Sequence, residues 1–318
     1  MAQTNYIETS GLSYCGQEAQ EIYSKDIYSL DLRRAGVTYI DGVKGKRKIY
    51  MGQWDNAWQA YTCNFSPDGE VSLSEAYVEV VPIKVNKEFC QNEFWDSFLV
   101  EQTEISLRGG IPQTFADWYF TKLRQQMAKE YSELAWKGDT GYTGTTKQYL
   151  KITDGWETKL ESNSAVTSIS GSVFTVDNVL AQVEAVIQAG IAKAAENEWT
   201  TDSYKVLMNK YDIELVKMAL GKICCPNNES IFSNYAKGAD GGVFVYGFEL
   251  IPTDMSRNKI IFGDPRNLVL AFDTYDSHLQ YRIISMKEHT LDDMWRVGAI
   301  SNIGTAVVFP EIFVISKP

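Results

Sequence analysis

The sequence predicts an α+β protein whose helices and strands are unevenly distributed along the chain. Three observations carry that class. Two stretches rich in β-branched and aromatic residues, 47–65 and 70–85, flank the turn-forming tetrapeptide Ser66-Pro67-Asp68-Gly69, the pattern of a long β-hairpin. Phe115, Tyr119, Leu123, Met127 and Tyr131 recur every fourth residue, which is a helical period. From Thr175 onward, short apolar runs of helical and strand character alternate.

Residues 1–36 hold Gly11, Gly16 and scattered tyrosines (Tyr6, Tyr14, Tyr23, Tyr28) without a sustained period, so they read as an extended arm. In the second hairpin limb Ala76, Val78 and Val80 alternate with Tyr77, Glu79 and Val81. Both faces are then partly apolar, and one is expected to meet another chain or domain. The long helix is reinforced by Trp118 and Leu134, starts at Thr114 with Asp117 three residues on, and stops at Gly138 after Lys137. At 1.5 Å per residue, about 24 residues reach ~35 Å, long enough to be a spine. The Gly/Thr/Ser-rich stretch 138–172 predicts loops and short strands. A second amphipathic helix begins at Thr175, carries Val179, Leu180, Val183, Ile187 and Ile191 on one side, and ends near Asn197. Beyond it the pattern predicts strands at 204–208, 243–251, 259–262 and 268–272, with a helix at 211–220. Two longer strands, 279–286 and 297–309, and a closing strand at 312–315 complete the chain.

Composition narrows the function classes. The chain has 318 residues, 44% of them apolar and 22% charged, enough for one large domain or two smaller ones. No apolar run approaches the ~20 residues of a membrane span. The opening MAQTNYIETS lacks a basic and apolar secretory signal, so the chain is expected to stay in the cytoplasm where it is made. Five cysteines (Cys15, Cys63, Cys90, Cys224, Cys225) form an odd set without metal-ligand spacing, and reduced thiols are expected. A formal charge of −11 disfavours broad phosphate tracking. With only His278 and His289, the commonest general base is scarce.

Individual motifs point the same way. Gly138 to Lys147 superficially resembles a phosphate loop, but its spacing fails and it follows a helix, so it reads as a helix stop and a loop. Asp273 with Asp276, and Asp292 with Asp293, offer carboxylate pairs for glycoside chemistry beside eight Trp and 18 Tyr, yet adjacent acids point apart and a solvated cluster is expected. No catalytic residue, metal site or cofactor is therefore assigned. The basic run Lys44, Lys46, Arg47, Lys48 could grip nucleic acid, but on an acidic background it reads as a solvated loop or one side of an inter-subunit charge contact.

Several segments together resemble a known family. Val80-Val-Pro-Ile-Lys-Val-Asn-Lys-Glu-Phe89 follows the hairpin, and the helix ends in Gly138-Asp139. Tyr204-Lys-Val-Leu-Met-Asn209 precedes an apolar helix, and Phe262-Gly-Asp264, Phe272-Asp273 and Phe309-Pro-Glu-Ile-Phe313 close the chain. In order and spacing these resemble the major capsid proteins of tailed bacteriophages with the Hong Kong 97-type fold. The resemblance implies an N-terminal arm (1–36), an extended loop (37–84), a peripheral domain with a spine helix (85–172 and 276–306) and an axial α/β domain (173–275 and 307–318). It implies a non-enzymatic subunit tiling as pentamers and hexamers into an icosahedral shell around double-stranded DNA, without sequence-specific binding. A separate scaffolding protein, a portal and decoration proteins are the further partners implied. A hairpin that reaches beyond its own body needs a neighbour to lie on. Lys44, Lys46, Arg47, Lys48, Trp54, Trp58 and Tyr61 are the residues expected to touch it. The alternatives are another phage structural subunit, such as a tail-tube or minor shell protein, and a carbohydrate-active hydrolase.

Overall fold

The computed structural model describes residues 13–14, 32–54, 58, 60–61, 63, 71–90, 93, 97–103, 115–223, 242–273, 281–286 and 294–318. Two six-stranded sheets and a separate two-stranded ladder organise them. The strands are β1 (Ser13–Tyr14), β2 (Thr38–Ile40), β3 (Lys46–Trp54), β4 (Val71–Glu79), β5 (Val81–Cys90), β6 (Thr167–Ser170) and β7 (Lys205–Asn209) in the first two thirds. There follow β8 (Val243–Val245), β9 (Phe248–Thr253), β10 (Ile260–Gly263), β11 (Leu268–Ala271), β12 (Tyr281–Ser285), β13 (Met294–Val307) and β14 (Val314–Lys317). The α-helices are α1 (Leu32–Ala35), α2 (Phe115–Lys137), α3 (Trp156–Ser162), α4 (Val179–Glu196) and α5 (Lys210–Ile223).

The first sheet has the order β1-β12-β13-β11-β2, with β5 also paired to β13. Strand β13 is its axis: Met294–Ile303 runs antiparallel to β5, and Gly304–Val307 to β11. Helix α2 covers this sheet, with Phe89 and Tyr119 stacked at 3.9 Å. Its bounds are those the sequence predicts, and the described residues expected on its core face lie there, buried to different degrees. Trp118, Tyr131, Leu134, Ala135 and Trp136 are buried, whereas Tyr119, Leu123 and Met127 are half-buried and pack against the same core. A row of residues four apart drifts around a helix of 3.6 residues per turn, which explains the difference.

The second sheet runs β6-β14-β10-β7-β9-β8, and its middle strands β14, β10 and β7 are buried on both faces. Leu207, Ile251, Ile261 and Ile315 face the core shared with Trp136 and Trp156, while Val206, Met208, Leu250, Ile260 and Phe262 face α4 and α5. Burial on both faces is why these strands read as continuous apolar runs. Ile191, expected on the core side of α4, is exposed, and Asn178 at the N-cap starts the helix later than Thr175.

Four sequence expectations need correction. The run 243–251 is two strands, because Tyr246 and Gly247 take φ of 53° and 87° in a tight turn. The stretch 138–172 contains α3 besides loops, a 3-10 turn and β6. The arm is seated at its end, since Leu32 and Ala35 are buried in the main core. Residues 81–90 belong to the first sheet, so the hairpin ladder is shorter than its composition suggests. Strand β6 joins the second sheet through β14, and β11 joins the first. No described helix is long and apolar enough to cross a membrane.

Candidate assembly surface

The hairpin is built from its foot. Strand β2 runs beside β11, and the chain then turns through Gly42 and Gly45, at φ of 74° and 87°. Val43 N–H donates to the Phe272 carbonyl at 3.2 Å, and Val80 N–H to the Gly45 carbonyl at 2.8 Å. These bonds clamp both ends of the hairpin to one place. Val43, Val78 and Val80 then pack with Val269, Ala271 and Ala306 in a separate small core. Burying each such valine contributes on the order of 1.5–3 kcal/mol.

Above the foot, β3 and β4 pair antiparallel in nine steps, from Lys46 opposite Glu79 to Trp54 opposite Val71. At ~3.3 Å per residue the ladder reaches ~30 Å. Two strands alone are marginal in water. Strand alternation gives the ladder two faces. Val78, half-buried Ile49 and half-buried Ala76 lie on the inward one; Tyr50, 67% exposed, Leu73, 71% exposed, and Tyr77 lie on the outward one. The two-sided apolar content read in the sequence is thus one anchored face and one open face.

The expected contact residues separate along this element. Lys44 stands in the turn, Lys46 and Lys48 on the outward face, and Arg47 on the inward side opposite Val78; all four are exposed. Trp54 ends the ladder. Trp58 and Tyr61 follow it at 95% and 92% exposure. The turn tetrapeptide 66–69 lies outside the described residues.

Sequence reasoning missed Glu75 and Tyr77. Lys48 Nζ donates to Glu75 Oε2 at 2.8 Å, and the Tyr77 hydroxyl donates to the same oxygen at 2.7 Å. Lys46 Nζ lies 4.5 Å and Lys48 Nζ 5.6 Å from the centre of the Tyr77 ring. The bond to Glu75 raises the Lys48 ammonium above its ordinary value. The Lys48 and Tyr77 donors hold the Glu75 carboxyl below its own, and the same bond pushes the Tyr77 hydroxyl up. The alternation of apolar and polar residues revealed two strands but not which residues stand diagonally across them.

The carboxylate pairs weighed for hydrolysis do not form a described site. Asp273 is buried beside Phe272, while Asp276, Asp292 and Asp293 lie outside the described residues, as do both histidines, Cys15, Cys224 and Cys225. Cys63 and Cys90 are free thiols. Among the described residues, no group of three or more His, Cys, Asp or Glu could hold a metal ion.

Comparison with solved structures identifies this architecture. The chain superposes on a satellite phage P4 procapsid including the size determination protein with a TM-score of 0.59 and 10% identity, covering 94% of this chain and 90% of that one. The capsid of a native GTA particle matches with a TM-score of 0.55 and 13% identity, over 90% and 89% of the two chains. The fold is that of a phage capsid subunit. The capsid of Myoviridae phage XM1 agrees, at a TM-score of 0.54 and 12% identity over 91% of each chain. No family model matches the sequence, and no curated protein does. In the terms of this Hong Kong 97-type capsid fold, α2 is the spine helix, β3 and β4 are the extended loop, and the second sheet with α4 and α5 is the α/β layer.

Proposed function

We propose that this chain is the major capsid protein of a tailed phage, a structural and non-enzymatic subunit that assembles as pentamers and hexamers into the icosahedral shell enclosing double-stranded DNA. The observation that carries the reading is coverage: about nine tenths of this chain and of the capsid chains superpose. A tail-tube or minor shell role, or a hydrolase, has no comparable support. The division into arm (1–36), extended loop (37–84), peripheral body (85–172 and 276–306) and axial body (173–275 and 307–318) is part of this reading.

The exposed hairpin supports it physically. Tyr50, Leu73, Trp58 and Tyr61 present apolar surface on an element with almost no core of its own. A neighbouring subunit beneath that surface would cover it, as in obligate interfaces that bury ~2,000–5,000 Å². The acidic net charge limits adhesion of DNA to the shell wall. Scaffold, portal and decoration proteins are the expected further partners, and the virion, assembled in the bacterial cytoplasm, is the expected location. Electron microscopy of the purified full chain tests the reading: closed polyhedral shells are expected, and an open tube or a dispersed monomer at every salt and concentration would overturn it.

A further inference from the structure

The outward face of the hairpin foot contains more than a run of positive charge. Lys48 stands opposite Tyr77, with Glu75 one diagonal step away, and Lys46 stands opposite Glu79. Diagonal and direct cross-strand neighbours are the positions where side chains of an antiparallel pair interact. One carboxylate oxygen of Glu75 accepts from both Lys48 and Tyr77, and both lysines lie near the Tyr77 ring, where a cation meets the negative π face. Arg47 points to the other face, in register with Val78, and Lys44 stands in the turn. Among the described residues, neither Lys44 nor Arg47 has an ion-pair partner.

We propose that strand alternation divides the basic run between two jobs. Lys46 and Lys48, with Tyr77 and Glu75, brace the hairpin; Lys44 and Arg47 carry the charge that meets an acidic surface on a second copy of this chain. The charged and titratable groups facing the brace are Lys46, Lys48, Glu75, Tyr77 and Glu79. The brace acts where the ladder leaves its small core and a two-stranded element most needs stiffening. The free pair acts at longer range. A chain of net charge −11 offers acidic surface, and attraction to it speeds encounter and is screened as salt rises past a Debye length of ~8–10 Å. The second job rests on the capsid-subunit reading; the first does not.

Full-length variants with two separate readouts test both halves. Amide hydrogen exchange across Lys46–Trp54 and Val71–Glu79 is followed on unassembled subunits, and shell formation is followed by light scattering over a salt series without DNA. Lys48→Gln and Glu75→Gln should speed exchange along the ladder several-fold, while Lys48→Arg restores protection. Wild-type exchange in both Gln variants overturns the brace. K44Q/R47Q should leave exchange unchanged, slow assembly several-fold at low salt and match wild type at high salt. Wild-type assembly at low salt, or normal empty shells that retain less DNA, overturns the subunit-contact role. A wild-type chain that forms no shells overturns that role together with the capsid reading, while the exchange result still decides the brace.

Discussion

At Gly304 the strand that joins the two halves of the first sheet passes directly beneath the returning limb of the hairpin. A Cβ there would sit 2.3 Å from the Glu79 carbonyl oxygen and 3.1 Å from the Val80 Cα, both backbone atoms that cannot step aside. Gly304→Ala should cost about 1–3 kcal/mol by overpacking and raise hydrogen exchange at residues 79–81. Urea denaturation checks the energy, and a change under about 0.5 kcal/mol would mean that the limb is not seated there. Asp264 is a second single-residue test. Burial works against its ionisation, but the Arg266 guanidinium at 2.7 Å, the Arg266 N–H and the Ser203 hydroxyl outweigh burial and hold the carboxyl below its ordinary value. A depressed carboxyl gives stability that is present above the unfolded value near pH 4 and lost as pH falls through the folded one. Asp264→Asn should therefore cost about 1–2 kcal/mol at pH 7, discounted because Arg266 is largely exposed, with the difference shrinking below about pH 4. A pH-independent difference would assign the loss to packing.

At the scale of elements, the spine helix tests how burial is distributed along a spine. Leu134 is fully buried, and Leu134→Ala should cost ~2–5 kcal/mol, whereas half-buried Leu123→Ala should cost about 1–2 kcal/mol. Equal costs would show that the buried stripe is misplaced. The bounds of this helix were legible because Thr114 and Gly138 bracket an unbroken period. Helix α3 was not, because Gly138 and Gly155 look like breakers when they are contact points. Gly155 N–H donates to the Gly138 carbonyl at 2.8 Å, and a Cβ on Gly155 would lie 2.5 Å from the Trp136 carbonyl. Spacing alone cannot separate a glycine that frees the chain from one that lets two backbones touch. The same limit applied to the assembly surface. The hairpin and its basic run were visible as composition, but the Lys48–Glu75–Tyr77 contact depends on register, which the sequence does not state.

At the scale of the whole molecule, the hairpin carries large exposed side chains, Tyr50 and Leu73 among them, on an element with little core of its own, and assembly is argued from it. The structure also says how to remove it. Excising 47–83 would take Val78 and Val80 out of the small core and strip the start of β5 from β13, damaging the body. Ile49 and Ala76 are direct cross-strand partners, so replacing residues 50–75 by Asn-Gly closes the ladder with a two-residue turn and keeps the foot. Cryo-electron microscopy of this variant beside the wild-type chain, with unfolding followed on the same samples, is the most direct measurement. Closed shells are expected from the wild type and, from the variant, cooperatively folded subunits that form none; normal shells from the variant would show that the hairpin is dispensable for assembly.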